Sequence, residues 1–276
     1  MNILQIDTSI CSQCGICAAV CPIGLIDFRK KDYPEAGAAM ESRCFRCGHC
    51  VVVCPSGCLI HRDIPAEQCT PIEKKLQITA AQGEQFLKSR RSIRVYRNKA
   101  VPRDVIKHII EIARYAATGG NGQEVEWMVF DNQETLCQIE KLGLDWMRWT
   151  AEQEHSTVFN MADMIKLQEK SMKELLRGAP VLVVAHAADS IPIAAVDCVI
   201  ALTYLELAAK SQGLGSCWAG LVDAMTSSFP PMQELLSLPP GQKAHGSVML
   251  GYPKYHYTRI PLRKPPQIIW HDRFQK

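Results

Sequence analysis

The feature that most constrains this chain is a repeat of cysteines. The run Cys11-x-x-Cys14-x-x-Cys17-x-x-x-Cys21-Pro22 returns as Cys44-x-x-Cys47-x-x-Cys50-x-x-x-Cys54-Pro55. Each cysteine recurs 33 positions on, and Gly15/Gly48, Val20/Val53, Pro22/Pro55 and Gly24/Gly57 recur with them. The segment is therefore an internal duplication, and two similar halves imply two similar sites.

Three thiolates separated by two residues can wrap one face of a [4Fe–4S] cube, because such short loops bend the backbone around the sulfurs. The fourth cysteine, after a longer gap and before proline, is aimed elsewhere. In the bacterial ferredoxin pattern it ligates the other cluster. The expected ligand sets are then Cys11, Cys14, Cys17 and Cys54 for one cube, and Cys44, Cys47, Cys50 and Cys21 for the second. Paired zinc sites are the alternative, since a doubled Cys-x-x-Cys also suits tetrahedral zinc. Zinc leaves the third cysteine and the Cys-Pro step of each run unexplained. A disulfide framework is disfavoured by packed Cys-x-x-Cys runs without an export signal, which point to a reducing compartment and a cytoplasmic location.

Eight of the thirteen cysteines stand in these two runs. Residues 1–64 hold few large apolar side chains, so the clusters themselves are expected to hold this first domain together. A linker containing Pro65 and Pro71 and a leading helix are expected over 65–84, with a larger domain over 85–276. The balance of 31 Lys and Arg against 28 Asp and Glu leaves a net charge of +3, which gives no reason to expect nucleic acid or an anionic membrane as partner. The longest apolar stretch, Ile191 to Ala209, is interrupted by Pro192, Asp197 and Glu206, so no membrane span is expected.

Within the first domain, Leu25-Ile26-Asp27-Phe28 and Cys58-Leu59-Ile60-His61 read as equivalent short strands, with Cys58 in the place of Leu25 as a small core residue. In the second, Asp104 to Ala117 carries Val105, Ile106, Ile109, Ile110 and Ala113 on one side and reads as an amphipathic helix. A glycine-rich loop follows, then a strand over Val125 to Phe130. Val181 to Val184 reads as a buried strand, Ile193 to Ser211 as an apolar helix ending at Gly213, and Gly246 to Tyr252 as a last strand. Residues 133–178 have helical composition; Trp146, Met147, Trp149, Met161, Met164 and Met172 are expected to pack there, or part of the segment to fold over a pocket. His155, His186 and His245 are expected in packing or surface roles, and the tail from Lys254 to lie across another surface. The alternation of strands and helices implies a three-layer α+β or α/β body.

Four separated pieces carry a resemblance. They are Arg90-Arg91-Ser92-x-Arg94, Thr118-Gly119-Gly120-Asn121-x-Gln123, Gly213-Leu214-Gly215-Ser216-Cys217-Trp218, and Gly251-Tyr252-Pro253 followed by Arg263-Lys264-Pro265. In that order, with a helix between the first two, residues 85–270 resemble the FMN-dependent nitroreductase family. The resemblance implies an α+β three-layer body, an intertwined homodimer and FMN at the subunit interface. Arg90, Arg91, Ser92 and Arg94 are then expected at the flavin phosphate, ribityl chain and pyrimidine edge, which agrees with the preference of a dianion for guanidinium donors. Arg263 and Lys264 would close over the phosphate from the tail. Asn121 is implied near the flavin ring, with Thr118 and Gln123 beside it, although the commoner family loop carries serines and then Gln-Pro-Trp. Gly215 and Ser216 are expected to bring backbone N–H groups to the isoalloxazine, and Cys217 to be a core residue.

The expectation is thus an iron–sulfur flavoprotein oxidoreductase that passes electrons between two [4Fe–4S] clusters and FMN. Its substrate would be flat and electron-poor, such as a nitroaromatic, quinone or activated alkene, and a ferredoxin or similar carrier would be its partner. No side chain of the second domain reads as a nucleophile or base, in keeping with chemistry that belongs to a cofactor. The alternative is an electron-transfer or redox-sensing module between carrier proteins, without a small-molecule substrate. The sequence holds no Gly-x-Gly-x-x-Gly fingerprint, yet family members without clusters take hydride from NAD(P)H stacked on the flavin.

Overall fold

The two cysteine runs bend alike. Gln13 (φ 54°) and Arg46 (φ 49°) turn left-handed at equivalent places, and so do Gly15 (φ 72°) and Gly48 (φ 73°) after the second cysteine of each run. These glycines start two short helices, α1 (Ile16–Val20) and α3 (His49–Val53). A β-carbon at Gly15 would also stand 2.4 Å from the Phe28 ring, so both conformation and space call for glycine there. In this computed structural model, residues 2–152, 163, 165–166 and 175–271 are described. They fall into two units, Met1–Gln77 with Ala117–Glu124, and Ile78–Ala116 with Val125–Lys276.

In the first unit, β1 (Leu4–Ile6) pairs antiparallel with β4 (Leu59–His61), and β2 (Ile26–Asp27) with β3 (Glu35–Ala36). A one-turn helix α2 (Met40–Arg43) precedes the second cysteine run. The apolar core is small: Ile3, Leu4, Leu25, Ile26, Met40, Val51 and Leu59, with Cys58 and Cys17 buried among them. Cys11, Cys21, Cys44, Cys50 and Cys54 pack against that core.

Beyond β4 the chain makes two single 3-10 turns, Ala66–Gln68 and Lys74–Leu76, with Ile72 89% exposed. Helix α4 (Ala80–Lys88) opens on a capping box. Thr79 Oγ1 accepts the Gln82 N–H at 3.2 Å and Gln82 Oε1 accepts the Thr79 N–H at 2.8 Å, which satisfies two N-terminal amides reciprocally.

The second unit is built on a four-stranded sheet of β5 (Glu126–Phe130), β6 (Val181–Ala188), β8 (Gln242–Gly251) and β7 (Gly215–Trp218), in that order across the sheet. All neighbouring strands are antiparallel. Alternate residues of β6 serve different layers. Val181, Val183, Ala185 and Ala187 pack with α5 (Arg103–Ala113) and α7 (Ala194–Ser211). Leu182 and Val184 pack with α6 (Gln133–Glu152), α8 (Gly220–Ser228) and α9 (Pro230–Leu236). A strand covered on both faces needs no polar alternation, which is why β6 reads as one apolar run. The result is a helix–sheet–helix α+β body.

Trp146 and Met147 are buried in the α6 layer, and Trp149 lies tilted against Phe229 with ring centroids 5.7 Å apart. His155, Met161, Met164 and Met172 lie outside the described residues. Helix α5 ends at Ala113, four residues before the expected Ala117, and passes through a turn into a 3-10 turn at Gly119–Asn121. Strand β8 begins four residues before the expected Gly246, because its half-exposed start pairs with Ala188, Ala187 and His186 without needing apolar side chains. Among the described residues no helix is long and apolar enough to cross a membrane.

One carboxyl group helps seat α8 on the sheet. Asp223 Oδ1 accepts the hydroxyl hydrogen of fully buried Ser247, on β8, at 2.5 Å. Burial raises the Asp223 carboxyl to about 6 from an ordinary 3.8, against opposing hydrogen bonds from Ser247 and Trp218. The folded state therefore holds this proton more tightly than the unfolded chain, and the group lowers stability as pH rises from about 4 to about 6. We expect Asp223→Asn to remove that part of the pH slope. Thermal melts of wild type and variant across this range check it, and parallel slopes would exclude the assignment.

Candidate functional site

Cysteines from the two runs of the duplication come together in the fold. Cys54 stands close enough for its charge to act on both Cys14 and Cys17, so the last cysteine of the second run sits with the first. Conversely, Cys21, from the first run, lines one cavity with Cys44, Cys47 and Cys50; Leu4, Ile26 and Met40 supply apolar wall, and buried His61 completes the lining. Backbone amides point at the sulfurs. Leu25 N–H reaches Cys21 Sγ at 3.2 Å and Arg46 N–H reaches Cys44 Sγ at 3.4 Å. The crossing agrees with the β1–β4 pairing, which joins the beginning of the unit to its end.

Electrostatics says what such a site needs. Burial raises the Cys17 thiol, and the nearby charges of Cys54 and Cys14 push the same way. Burial likewise lifts Cys50 to about 11, with Cys47 and Cys44 adding to it. A bare thiolate is thus unfavourable at Cys17 and at Cys50, and a cationic core beside it would remove the penalty. Among the described residues no three His, Cys, Asp or Glu groups close on a single ion; four sulfurs line a volume instead. The donor set suits a cluster in both chemistry and number. Cys58, expected as a core residue, is buried in the core, with its Sγ 3.5 Å from that of Cys54.

In the second unit another cavity is lined by Ser89, Arg90, Arg91, Ile93 and Lys210 on one side and by Gly215, Ser216, Tyr255, His256 and Tyr257 among the rest. The segment after α4 is held to the sheet edge by the Ile93 N–H, which donates to Ser216 O at 2.8 Å, and by a parallel bridge between Ser92 and Ser216. Arg90 and Arg91 are thereby brought beside β7. A β-carbon at Gly215 would meet the Ile93 side chain at 2.5 Å, so this glycine is required by the close approach of the arginine segment to the strand.

Glu206 organises this cavity from α7. Its Oε1 accepts the Ser216 hydroxyl at 2.8 Å and lies 3.4 Å from Arg90 Nη1. One helical turn on, Lys210 Nζ donates to Ser89 Oγ at 2.5 Å and to Phe86 O, and stands over the Phe86 ring. Desolvation, and then the charge of Arg90, lowers the Lys210 ammonium below the ordinary lysine range. Arg90, Arg91 and Lys210 thus face a single neutralising carboxylate, an excess that suits an anionic ligand such as a phosphate. Sequence reading missed Glu206 and Lys210 because α7 is apolar on nearly every side. Their i, i+4 spacing, which puts them on one face, was the available signal.

The remaining expected residues lie elsewhere. Arg94, Arg263 and Lys264 are exposed and do not line this cavity. The 118–123 loop folds with the first unit: Asn121 Nδ2 donates to Phe45 O at 3.1 Å and Arg46 O at 3.2 Å, between Cys44 and Cys47. Thr118 Oγ1 accepts the Gln123 N–H at 3.0 Å, a turn-stabilising bond, and Gln123 itself is exposed. Cys217 is buried in the sheet's α6-side core, and His186 is buried on β6 with Nδ1 3.0 Å from Gln242 Oε1.

Comparison with known proteins bears on both units. The 4Fe-4S dicluster domain model matches residues 10–58, and the nitroreductase family model matches residues 87–252, more than half of the chain. The FMN reductase [NAD(P)H] of Bacillus subtilis is 27% identical over 188 residues, covering 67% of this chain and 71% of that protein. An iodotyrosine deiodinase of Thermotoga neapolitana is 24% identical over 180 residues, 63% of this chain and 90% of that one. In fold, a nitroreductase with bound FMN from Desulfitobacterium hafniense superposes with a TM-score of 0.57 at 23% identity, covering 71% of this chain and all of that one. With the three-layer body and the doubled cysteine unit, these matches establish that the chain belongs to the nitroreductase family of oxidoreductases and carries an N-terminal 4Fe-4S dicluster domain.

Proposed function

We propose that the protein is an iron–sulfur flavoprotein reductase that passes electrons between two [4Fe–4S] clusters and FMN to reduce an electron-poor small molecule. The observation that carries this reading is the presence, in one chain, of a duplicated four-cysteine run, with four of its sulfurs around one cavity, and of another cavity with an excess of cationic side chains. FMN is the group bound in the Desulfitobacterium nitroreductase and named in the Bacillus reductase. When bound, FMN accepts electrons singly and delivers two together, which matches two one-electron clusters to a two-electron reduction.

The chain's own contribution is binding and positioning. Cys11, Cys14, Cys17 and Cys54 hold one cluster, and Cys44, Cys47, Cys50 and Cys21 the other. Arg90, Arg91 and Lys210 receive the phosphate dianion, while Glu206 fixes the Ser216 hydroxyl and keeps Arg90 in place. Tyr255 and Tyr257, from the tail, add aromatic rings to the cavity lining. Ser92, Arg94, Thr118, Asn121, Gln123, Arg263 and Lys264 are further cofactor contacts by family resemblance, the last two closing over the phosphate from the tail. A homodimer agrees with the exposed apolar face of α7, which presents Val196, Val199 and Tyr204 to solvent in the single chain. Nitroaromatics, quinones and activated alkenes are the acceptor class, a ferredoxin-like carrier the donor, and the reducing cytoplasm the setting.

The reading is tested by anaerobic titration of the purified protein with reduced low-potential ferredoxin and, separately, with NAD(P)H, following cluster and flavin absorbance. Bleaching of both chromophores by ferredoxin supports it; a preparation without a flavin band overturns it. Arg91→Ala is expected to weaken FMN binding about 10- to 100-fold, the scale of one charged hydrogen bond, at unchanged iron content. Unaltered flavin occupancy would remove Arg91 from the site. Cys21→Ala and Cys44→Ala should abolish the same paramagnetic cluster signal and spare the other. Loss of different signals would exclude the crossed ligand sets.

A further inference from the structure

The halves of the duplication differ at the position that faces the sulfur of Cys44. Phe28 in the first half corresponds, 33 residues on, to His61 in the second. His61 is only 3% exposed and lines the same cavity as Cys21, Cys44, Cys47 and Cys50. Its tautomer follows from its partners. Nδ1 receives the Asp63 backbone N–H at 3.1 Å, and an amide nitrogen can only donate, so Nδ1 carries no proton and Nε2 does. Nε2 stands 3.7 Å from Cys44 Sγ, within reach of an N–H···S hydrogen bond. The same sulfur also receives the Arg46 amide at 3.4 Å.

We propose that His61 is a positioning residue that donates an Nε2–H hydrogen bond to Cys44 and thereby raises the reduction potential of the cluster held by Cys44, Cys47, Cys50 and Cys21. The inference rests on the iron–sulfur reading above. Reduction adds negative charge that spreads onto the cluster and its thiolates, and a donor aimed at one thiolate stabilises the reduced form more than the oxidised one. An apolar ring in that place, as at Phe28, offers no such donor. The other cluster has different neighbours: Cys54 is approached by Ser56 Oγ at 3.7 Å and by Cys58 Sγ at 3.5 Å. Their counterparts in the first half are Ile23 and Leu25. The two potentials are therefore set by separate side chains, and a change at His61 acts on one cluster only.

The test is an anaerobic redox titration of the full chain, followed by electron paramagnetic resonance, on wild type, His61→Asn, His61→Phe and His61→Gln. The signal lost in Cys44→Ala identifies the cluster concerned. Asparagine can still meet the Asp63 amide near the position of Nδ1 but cannot reach the sulfur, whereas glutamine can carry its N–H to the position of Nε2. His61→Asn is expected to shift that cluster's reduction equilibrium about tenfold toward the oxidised form, or ~59 mV for one electron. The second cluster stays in place, and His61→Gln stays nearer to wild type. Should the asparagine variant lose iron, His61→Phe, built on the side chain of the first half, repeats the measurement. A wild-type protein lacking two cluster signals overturns the iron–sulfur reading and this inference together. Two intact signals with no shift, or an equal shift of both clusters, overturns the inference alone.

Discussion

The N-terminal unit turns on the burial of cysteine sulfurs in a very small core, where an ionised Cys17 or Cys50 is penalised by desolvation. Its apolar core is a handful of side chains, and five of the ligand cysteines pack directly against them. Cys17 and Cys50 are raised by burial and by their neighbours' charge, so the arrangement is costly without metal and favourable with it. The left-handed turns at Gly15 and Gly48 exist to hold sulfurs in that geometry.

The C-terminal unit is stabilised by the opposite means. Its sheet is covered on both faces, and the helices that cover it also carry the polar groups of the cavity. Glu206 and Lys210 belong to α7, whose other residues form the core with β6 and β8. The cavity's charge is thus mounted on a rigid, buried element, and Arg90 and Arg91 arrive on a segment bonded to β7. Precise placement of cations follows from apolar packing, as electrostatic preorganisation requires. The close approach of Ile93 to Gly215 shows how little slack that arrangement has.

Loop 117–124 joins these two themes by chain connectivity. It leaves α5 and returns as β5, both in the C-terminal unit, yet its residues fold with the N-terminal unit and Asn121 binds carbonyls in the turn between Cys44 and Cys47. A boundary drawn along the chain cannot express such an excursion. The amide side chain of Asn121 offers two donors, and two carbonyls of a tightly bent turn, Phe45 O and Arg46 O, receive them.

Features that depend on local spacing were legible in the chain alone. The cysteine runs declared their own duplication and their need for iron, because ligand intervals and turn glycines are fixed within a few residues of chain. The continuous apolar run of β6, the helix ending at Gly213 and the burial of Cys217 were legible for the same reason: periodicity and composition report solvent exposure directly. Only the tertiary structure decided which distant side chains meet. Glu206 reaches Ser216 and Arg90, Lys210 joins them over Phe86, Tyr255 and Tyr257 come back from the tail, and His61 turns its Nε2 toward Cys44. Those meetings depend on strand order, helix rotation and the tautomer imposed by a backbone amide, none of which is encoded in the separation of residues along the chain.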